Sequence, residues 1–172
     1  MRVSCTKALM ATALSLACAQ ALANGLPDQV RAQIDSQCSI SERGLTPKQF
    51  SIDESGTLWL VPCNAGAYQT GYEAVYQPEN GPPRQLLFAK WQDYSWTGST
   101  TIFDPTFDPE TGVLRDQYKD RGVGDCGGMR IWQWRGDTFR LLTYRARSCQ
   151  HPGASFPVVF QTPPETLQKT SE

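Results

Sequence analysis

Met129-Arg130-Ile131-Trp132-Gln133-Trp134-Arg135-Gly136-Asp137-Thr138-Phe139-Arg140-Leu141-Leu142-Thr143-Tyr144-Arg145-Ala146 is two β-type runs joined by a Gly-Asp dipeptide. A two-residue turn at Gly136-Asp137 sets Trp134 opposite Phe139, Trp132 opposite Leu141 and Ile131 opposite Leu142. The same register carries Cys126 opposite Arg147, two residues short of Cys149. A small bulge closes that gap, and a disulfide needs its Cα atoms within about 7 Å, so the hairpin predicts a Cys126–Cys149 bond.

Outward from this hairpin the texture repeats. Short runs rich in aromatic and β-branched residues, punctuated by Gly, Pro and Asp, lie at 57–63, 67–77, 84–91, 113–118 and 156–161, beside 129–134 and 138–146 of the hairpin itself. Seven or eight strands at this spacing predict a mainly β fold, an antiparallel sandwich or barrel. Tyr68, Tyr72 and Tyr76 recur every four residues and are predicted to share one face of a strand. Residues 78–83 and 104–112 read as loops, and Asp108-Pro109-Glu110-Thr111-Gly112 reads as a tight turn with glycine at its left-handed position. Leu26, Val30 and Ile34 have helical spacing, with Pro27 and Asp28 suited to a first turn, so a short N-terminal helix over 26–37 leads into Cys38.

The chain of 172 residues, 40% apolar and 19% charged, fits one globular domain. Its net charge of -1 argues against a strongly basic nucleic-acid binder. Arg2 and Lys7, an apolar stretch at 8–17 and Ala21-Leu22-Ala23 read in order as a secretory signal peptide over 1–23, cleaved before Asn24. The competing reading is a lipoprotein anchored at Cys18, against which Ser15 stands three positions upstream, where Leu is normal. A single β-rich domain over 24–162 and a flexible, mostly polar tail over 163–172 follow, with no transmembrane segment and a periplasmic or secreted location.

Removing residues 1–23 leaves Cys38, Cys63, Cys126 and Cys149, an even set that reads as disulfides in an exported chain. Four cysteines allow three connectivities. With Cys126 assigned to Cys149, Cys38 is left for Cys63, a bond that staples the leading helix to the first strong strand. No CxxC is present and His151 is the only histidine, so neither a metal nor a cofactor is expected.

Several motifs have plainer explanations than the chemistry they suggest. Gly122-Val123-Gly124-Asp125-Cys126-Gly127 satisfies GxGxxG, but it precedes a Trp-rich strand instead of opening a helix, and is read as a glycine-permitted bend delivering Cys126 to its disulfide. Asp104, Asp108 and Glu110 lack calcium-loop spacing. His151 sits beside Pro152-Gly153 with no nucleophile elbow elsewhere to partner it. Arg121 and Asp125 flank the glycine bend and are expected to pair and hold it.

Charge is uneven. Residues 115–147 hold eight basic and four acidic groups, whereas 24–114 hold five basic and eleven acidic. Either the two halves pack together and neutralise each other, or one face is basic and binds an anionic partner. Trp91, Tyr94 and Trp96 crowd one short segment and are core residues or a contact surface for sugar or protein.

Leu58-Trp59-Leu60-Val61-Pro62-Cys63 with Gly66-Ala67-Tyr68-Gln69, and then Arg121-Gly122-Val123-Gly124-Asp125-Cys126-Gly127 before the Trp-rich hairpin and Cys149, resemble the bacterial exported family known as domain of unknown function 1176. The likeness runs from about Leu26 to Phe160. It implies an exported β-rich domain without a named activity, and a compact version of a family whose longer members carry extra sequence ahead of this part.

The functional expectation is a non-catalytic, disulfide-bonded module that binds a macromolecule or glycan of the envelope or exterior, in an inhibitor or immunity-type version among others. Tyr68, Trp91, Tyr94, Trp96, Arg121 and Asp125 are the candidate binding residues. Rival readings are a small envelope hydrolase with convergent carboxylates and an envelope scaffold.

Overall fold

The computed structural model describes residues 25–38, 44–52, 56–92, 95–151 and 155–163. Twelve strands and one helical turn lie among them: α1 (Asp28–Arg31), β1 (Lys48–Ile52), β2 (Gly56–Ala65), β3 (Thr70–Pro78), β4 (Arg84–Gln85), β5 (Phe88–Gln92), β6 (Ser95–Ser99), β7 (Thr101–Phe103), β8 (Thr106–Asp108), β9 (Val113–Lys119), β10 (Gly127–Arg135), β11 (Thr138–Arg147) and β12 (Val158–Gln161). The first sheet runs β1-β2-β3-β4, with β7 also on β3. The second runs β12-β11-β10-β9-β8, and β5-β6 form a separate hairpin. Every ladder is antiparallel. Among the described residues the sheets do not close on each other, so the fold is not a closed barrel.

The core between the sheets joins Leu58, Leu60, Tyr72, Ala74 and Tyr76 of the first sheet to Leu114, Trp132, Trp134 and Phe139 of the second. Strand β2 is buried at every position from Leu58 to Cys63 because its other face is covered too. Trp59, Val61 and Cys63 pack against Leu26, Val30, Ile34 and Cys38 of the N-terminal segment. A strand buried on both faces reads as a continuous apolar run, not an alternating one.

Both disulfides have the expected partners, Cys38 with Cys63 at a Cα separation of 4.5 Å and Cys126 with Cys149 at 5.0 Å. The hairpin turn is the two-residue Gly136-Asp137, with Gly136 at φ 69°. Trp134 faces Phe139 and Trp132 faces Leu141, but Ile131 faces Thr143 instead of Leu142, because a bulge intervenes. That extra residue advances β11 by one position and brings Cys149 to Cys126.

Other expectations need correction. The helix is one turn, Asp28–Arg31, not 26–37. The Asp35 carboxylate accepts a bond from Gln37 N (2.9 Å), a local turn that competes with the helical pattern, and Asp35 N is taken by the Glu73 carboxylate (3.1 Å). The run 84–91 is divided into β4 and β5, and 104–112 contains β8. Tyr72 and Tyr76 are buried, whereas Tyr68 precedes β3 in the hairpin loop and is 50% exposed, so the three do not share a strand face.

Candidate functional site

The loop between β9 and β10 is held from four sides. Arg121 Nε and Nη2 donate to the two carboxylate oxygens of Asp125 at 2.7 and 2.6 Å, the fork-to-carboxylate geometry that carries orientation as well as charge. Gly124 N donates to Arg121 O (3.0 Å) and Asp120 N to Cys126 O (3.2 Å). The Cys126–Cys149 bond fixes one base. From the β2–β3 loop, Gln69 donates through Nε2 to Lys119 O (3.0 Å) and accepts from Lys119 N (2.7 Å). The Tyr68 ring lies so close to Gly122 that a Cβ there would meet Cε1 at 3.0 Å. The hydrogen bond from Arg121 holds the Asp125 carboxyl below its ordinary value and raises Arg121 in turn. Val123, at the tip, is 81% exposed.

Trp91 and Trp96 face each other across the β5–β6 hairpin with ring centroids 5.3 Å apart, edge to face. Trp96 also meets Tyr144 and Phe160, each at 5.8 Å, which seats the hairpin on the end of the second sheet. Between hairpin and sheet end lies a cavity of about 550 Å3, walled by Lys90, Trp91, Tyr118, Asp120, Arg147 and Gln150. Two small residues of neighbouring strands, Gly127 and Ala146, complete its lining. Tyr118 lies across Gly128 and meets the Tyr144 hydroxyl at 2.5 Å. Burial, then that bond, push the Tyr118 phenol far above its usual value, so it remains a neutral hydroxyl.

The outward face of the second sheet is cationic. Strand periodicity puts Arg115 and Lys119 of β9, Arg135 of β10 and Arg140, Arg145 and Arg147 of β11 on the side away from the core. In register, Gln117, Met129 and Arg145 form one row, Lys119, Gly127 and Arg147 another, and Val113, Gln133 and Arg140 a third. No carboxylate stands among them on β9, β10, β11 or β12. Asp108 flanks the face from β8, and Asp137 at the turn pairs with Arg84. The two halves of the chain meet mainly through apolar side chains, and opposite charges touch at the rim, where Arg84 pairs with Asp137 and Asp108 lies near Arg115.

The buried charges are committed elsewhere. Asp116 is ion-paired with Arg130 and also accepts from Trp132 Nε1 (3.1 Å) and Phe103 N (3.3 Å), while Arg130 Nη1 donates to Ala89 O (3.2 Å). Glu73, on the opposite side of the first sheet, accepts from Asp35 N and Gln85 Nε2 (2.7 Å). The first sheet stands between Glu73 and Asp116, so these two acids do not converge. Asp120 lies with the Cys126 and Cys149 sulfurs in a group spanning 4.8 Å, but the sulfurs are bonded to each other and offer no thiolate pair. Asp108 accepts from Glu110 N (3.0 Å) and Thr111 Oγ1 (2.6 Å), and Gly112 is at φ 64°, the expected tight turn. His151 is exposed.

Of the candidate binding residues, Tyr68, Arg121 and Asp125 are drawn together in one loop cluster. Trp91 lines the cavity beside Asp120 at the base of that loop, and Trp96 backs it. Tyr94 lies outside the described residues. Sequence reading missed Gln69 and Lys90. Gln69 stands next to Tyr68 in the quoted motif, and Lys90 next to Trp91, but only the register of distant strands gives either a partner.

Among the described residues no helix is long and apolar enough to cross a membrane. The uncharacterized protein YpfG of Escherichia coli (strain K12) is 28% identical over 116 residues, which cover 64% of this chain and 33% of that protein. The chain thus spans about a third of the length of this relative. No solved structure matches it. The two motifs that pack on each other here, through Tyr68 on Gly122 and Gln69 on Lys119, lie within residues 3–162, which match a family profile described as "Protein of unknown function (DUF1176)", and the chain belongs to that family.

Proposed function

We propose that the protein is an exported, disulfide-bonded binding module that engages a negatively charged macromolecule or glycan through the outward face of its second sheet. The observation carrying this reading is the six cations of that face, with no carboxylate interleaved on β9, β10, β11 or β12. Like charges held this close on a rigid sheet raise the local potential and favour a polyanion, with affinity that falls as salt rises. Export to an oxidising compartment is supported by the two disulfides and by the charged, apolar and small-residue order of residues 1–23. Binding of long polygalacturonate and of polyglutamate to the wild type and to an Arg115→Gln/Arg140→Gln/Arg145→Gln variant, each at low and high salt, tests the reading. Binding that weakens with salt and with the triple substitution supports it; no binding, or binding indifferent to both, ends it.

A second version rests on the β9–β10 loop. Its base is tied by a disulfide, a bidentate ion pair and the Gln69 clamp, and its tip presents Val123. A loop so pre-organised suits insertion into the cleft of a partner protein, as in an inhibitor. Val123→Asp abolishes binding to such a partner and leaves polyanion binding intact.

A further inference from the structure

The cavity beneath the β5–β6 hairpin has a composition that points to a narrower ligand class than the cationic face does. We propose that it binds a sugar ring bearing a carboxylate, a uronic acid unit of an anionic glycan; the inference rests on the binding reading above and deepens it. Its volume, about 550 Å3, falls within the roughly 300–1,000 Å3 of small-ligand sites. Lys90 and Arg147 outnumber Asp120, so the walls carry one net positive charge and favour an anion of low charge. Trp91 adds an aromatic surface held edge-on by Trp96, and such a surface suits the C–H face of a pyranose. Gln92, Ser148 and Gln150 supply neutral groups that both donate and accept, which matches the hydroxyls of a sugar ring.

Arg147 belongs to both surfaces. It lines the cavity, and it ends the row Lys119, Gly127, Arg147 on the outward face. Arg147, whose Nη2 also donates to Ser155 Oγ (3.0 Å), thus stands where the outward face meets the cavity, so a glycan lying along that face can place one unit in the cavity while the face holds the rest.

Isothermal titration of the oxidised protein with trigalacturonic acid, with its carboxyl-reduced neutral trimer and with long polygalacturonate tests the assignment. The acidic trimer is expected to bind, the neutral trimer at least about tenfold more weakly, and Lys90→Gln and Trp91→Ala each to weaken the acidic trimer about tenfold. The outward-face triple variant Arg115→Gln/Arg140→Gln/Arg145→Gln keeps trimer affinity within about twofold and loses affinity for the long polymer. Lys90 is only part-buried, so Lys90→Gln remains informative if Trp91→Ala unfolds the hairpin. An acidic trimer that does not bind, or binds Lys90→Gln as well as wild type, overturns the cavity assignment, and if the long polymer still binds through the outward face the broader reading stands. A neutral trimer that binds equally well overturns the acidic class. Loss of all polymer binding in the wild type removes both.

Discussion

Gln69 makes two hydrogen bonds to the backbone of a single residue, Lys119, which is 50 positions away: 3.0 Å from its own amide to the carbonyl and 2.7 Å from the Lys119 amide to its carbonyl oxygen. The side chain substitutes for a neighbouring strand at the end of β9, where the chain leaves the ladder. Gln69→Leu leaves a part-buried donor and acceptor unsatisfied and is expected to lower stability by about 1–3 kcal/mol. Amide hydrogen exchange at Lys119 should accelerate in the same variant. Unchanged protection there would show that the clamp is dispensable.

Asp125 gives a pH test. Its folded value lies below the unfolded carboxylate value of about 3.9, chiefly through the Arg121 hydrogen bond, so its contribution to stability is present above that unfolded value and is lost as pH falls through the folded one. Asp125→Ala is therefore expected to lower the melting temperature at neutral pH, with a difference from wild type that shrinks in strong acid. Binding by the folded fraction should survive if the pair only holds the loop. A melting temperature that does not change, together with lost binding, would place the pair in direct contact with the partner.

Arg130 and Asp116, with side chains 1% and 0% exposed, form an ion pair that has no access to water if one member is removed. Arg130→Met is expected to cost about 3–5 kcal/mol in urea denaturation, the cost of a stranded buried charge. Adding Asp116→Asn, which removes the charge and keeps an acceptor for Trp132 Nε1, should recover part of that loss. Equal destabilisation by the single and double variants would show that packing, not charge, dominates.

Gly127 sits at φ 133°, and a Cβ built on it would approach the Tyr118 carbonyl oxygen to 2.1 Å. Backbone does not yield as a flexible side chain does, so Gly127→Ala is expected to destabilise by at least about 1–3 kcal/mol. A thermal melt decides this directly; wild-type stability would mean that β9 and β10 separate there without cost.

The hairpin was legible because a two-residue turn fixes register over many pairs, and register then located the second disulfide. The bulge that moves Leu142 out of line was legible only in outline, since nothing local in Leu141-Leu142-Thr143 marks one residue as extra. Strands β1, β6, β7 and β8 went unread because Lys48–Ile52 and Ser95–Ser99 carry too few apolar residues to set a period, and β7 and β8 have three residues each. The buried ion pair did leave a signal: Asp116 falls between Leu114 and Tyr118, and Arg130 in step with Trp132 and Trp134, at positions that alternation assigns to the core. The cavity left none, because its lining comes from β5, β9, β10, β11 and β12, whose mutual placement sequence does not name.

Each disulfide joins a cysteine to the next one along the described chain, Cys38 to Cys63 and Cys126 to Cys149, with separations of 25 and 23 residues and no overlap between the two loops. For a chain entering an oxidising compartment N-terminus first, consecutive pairing means that an oxidase acting on cysteines in order of arrival makes the native bonds directly. If residues 1–23, with Cys5 and Cys18, are removed on export, Cys38 and Cys63 can close before Cys126 emerges, and no wrong pair then has to be undone. Oxidative maturation of this protein should therefore need a thiol oxidase but not a disulfide isomerase, and each half of the sandwich is sealed by its own bond before it must dock on the other.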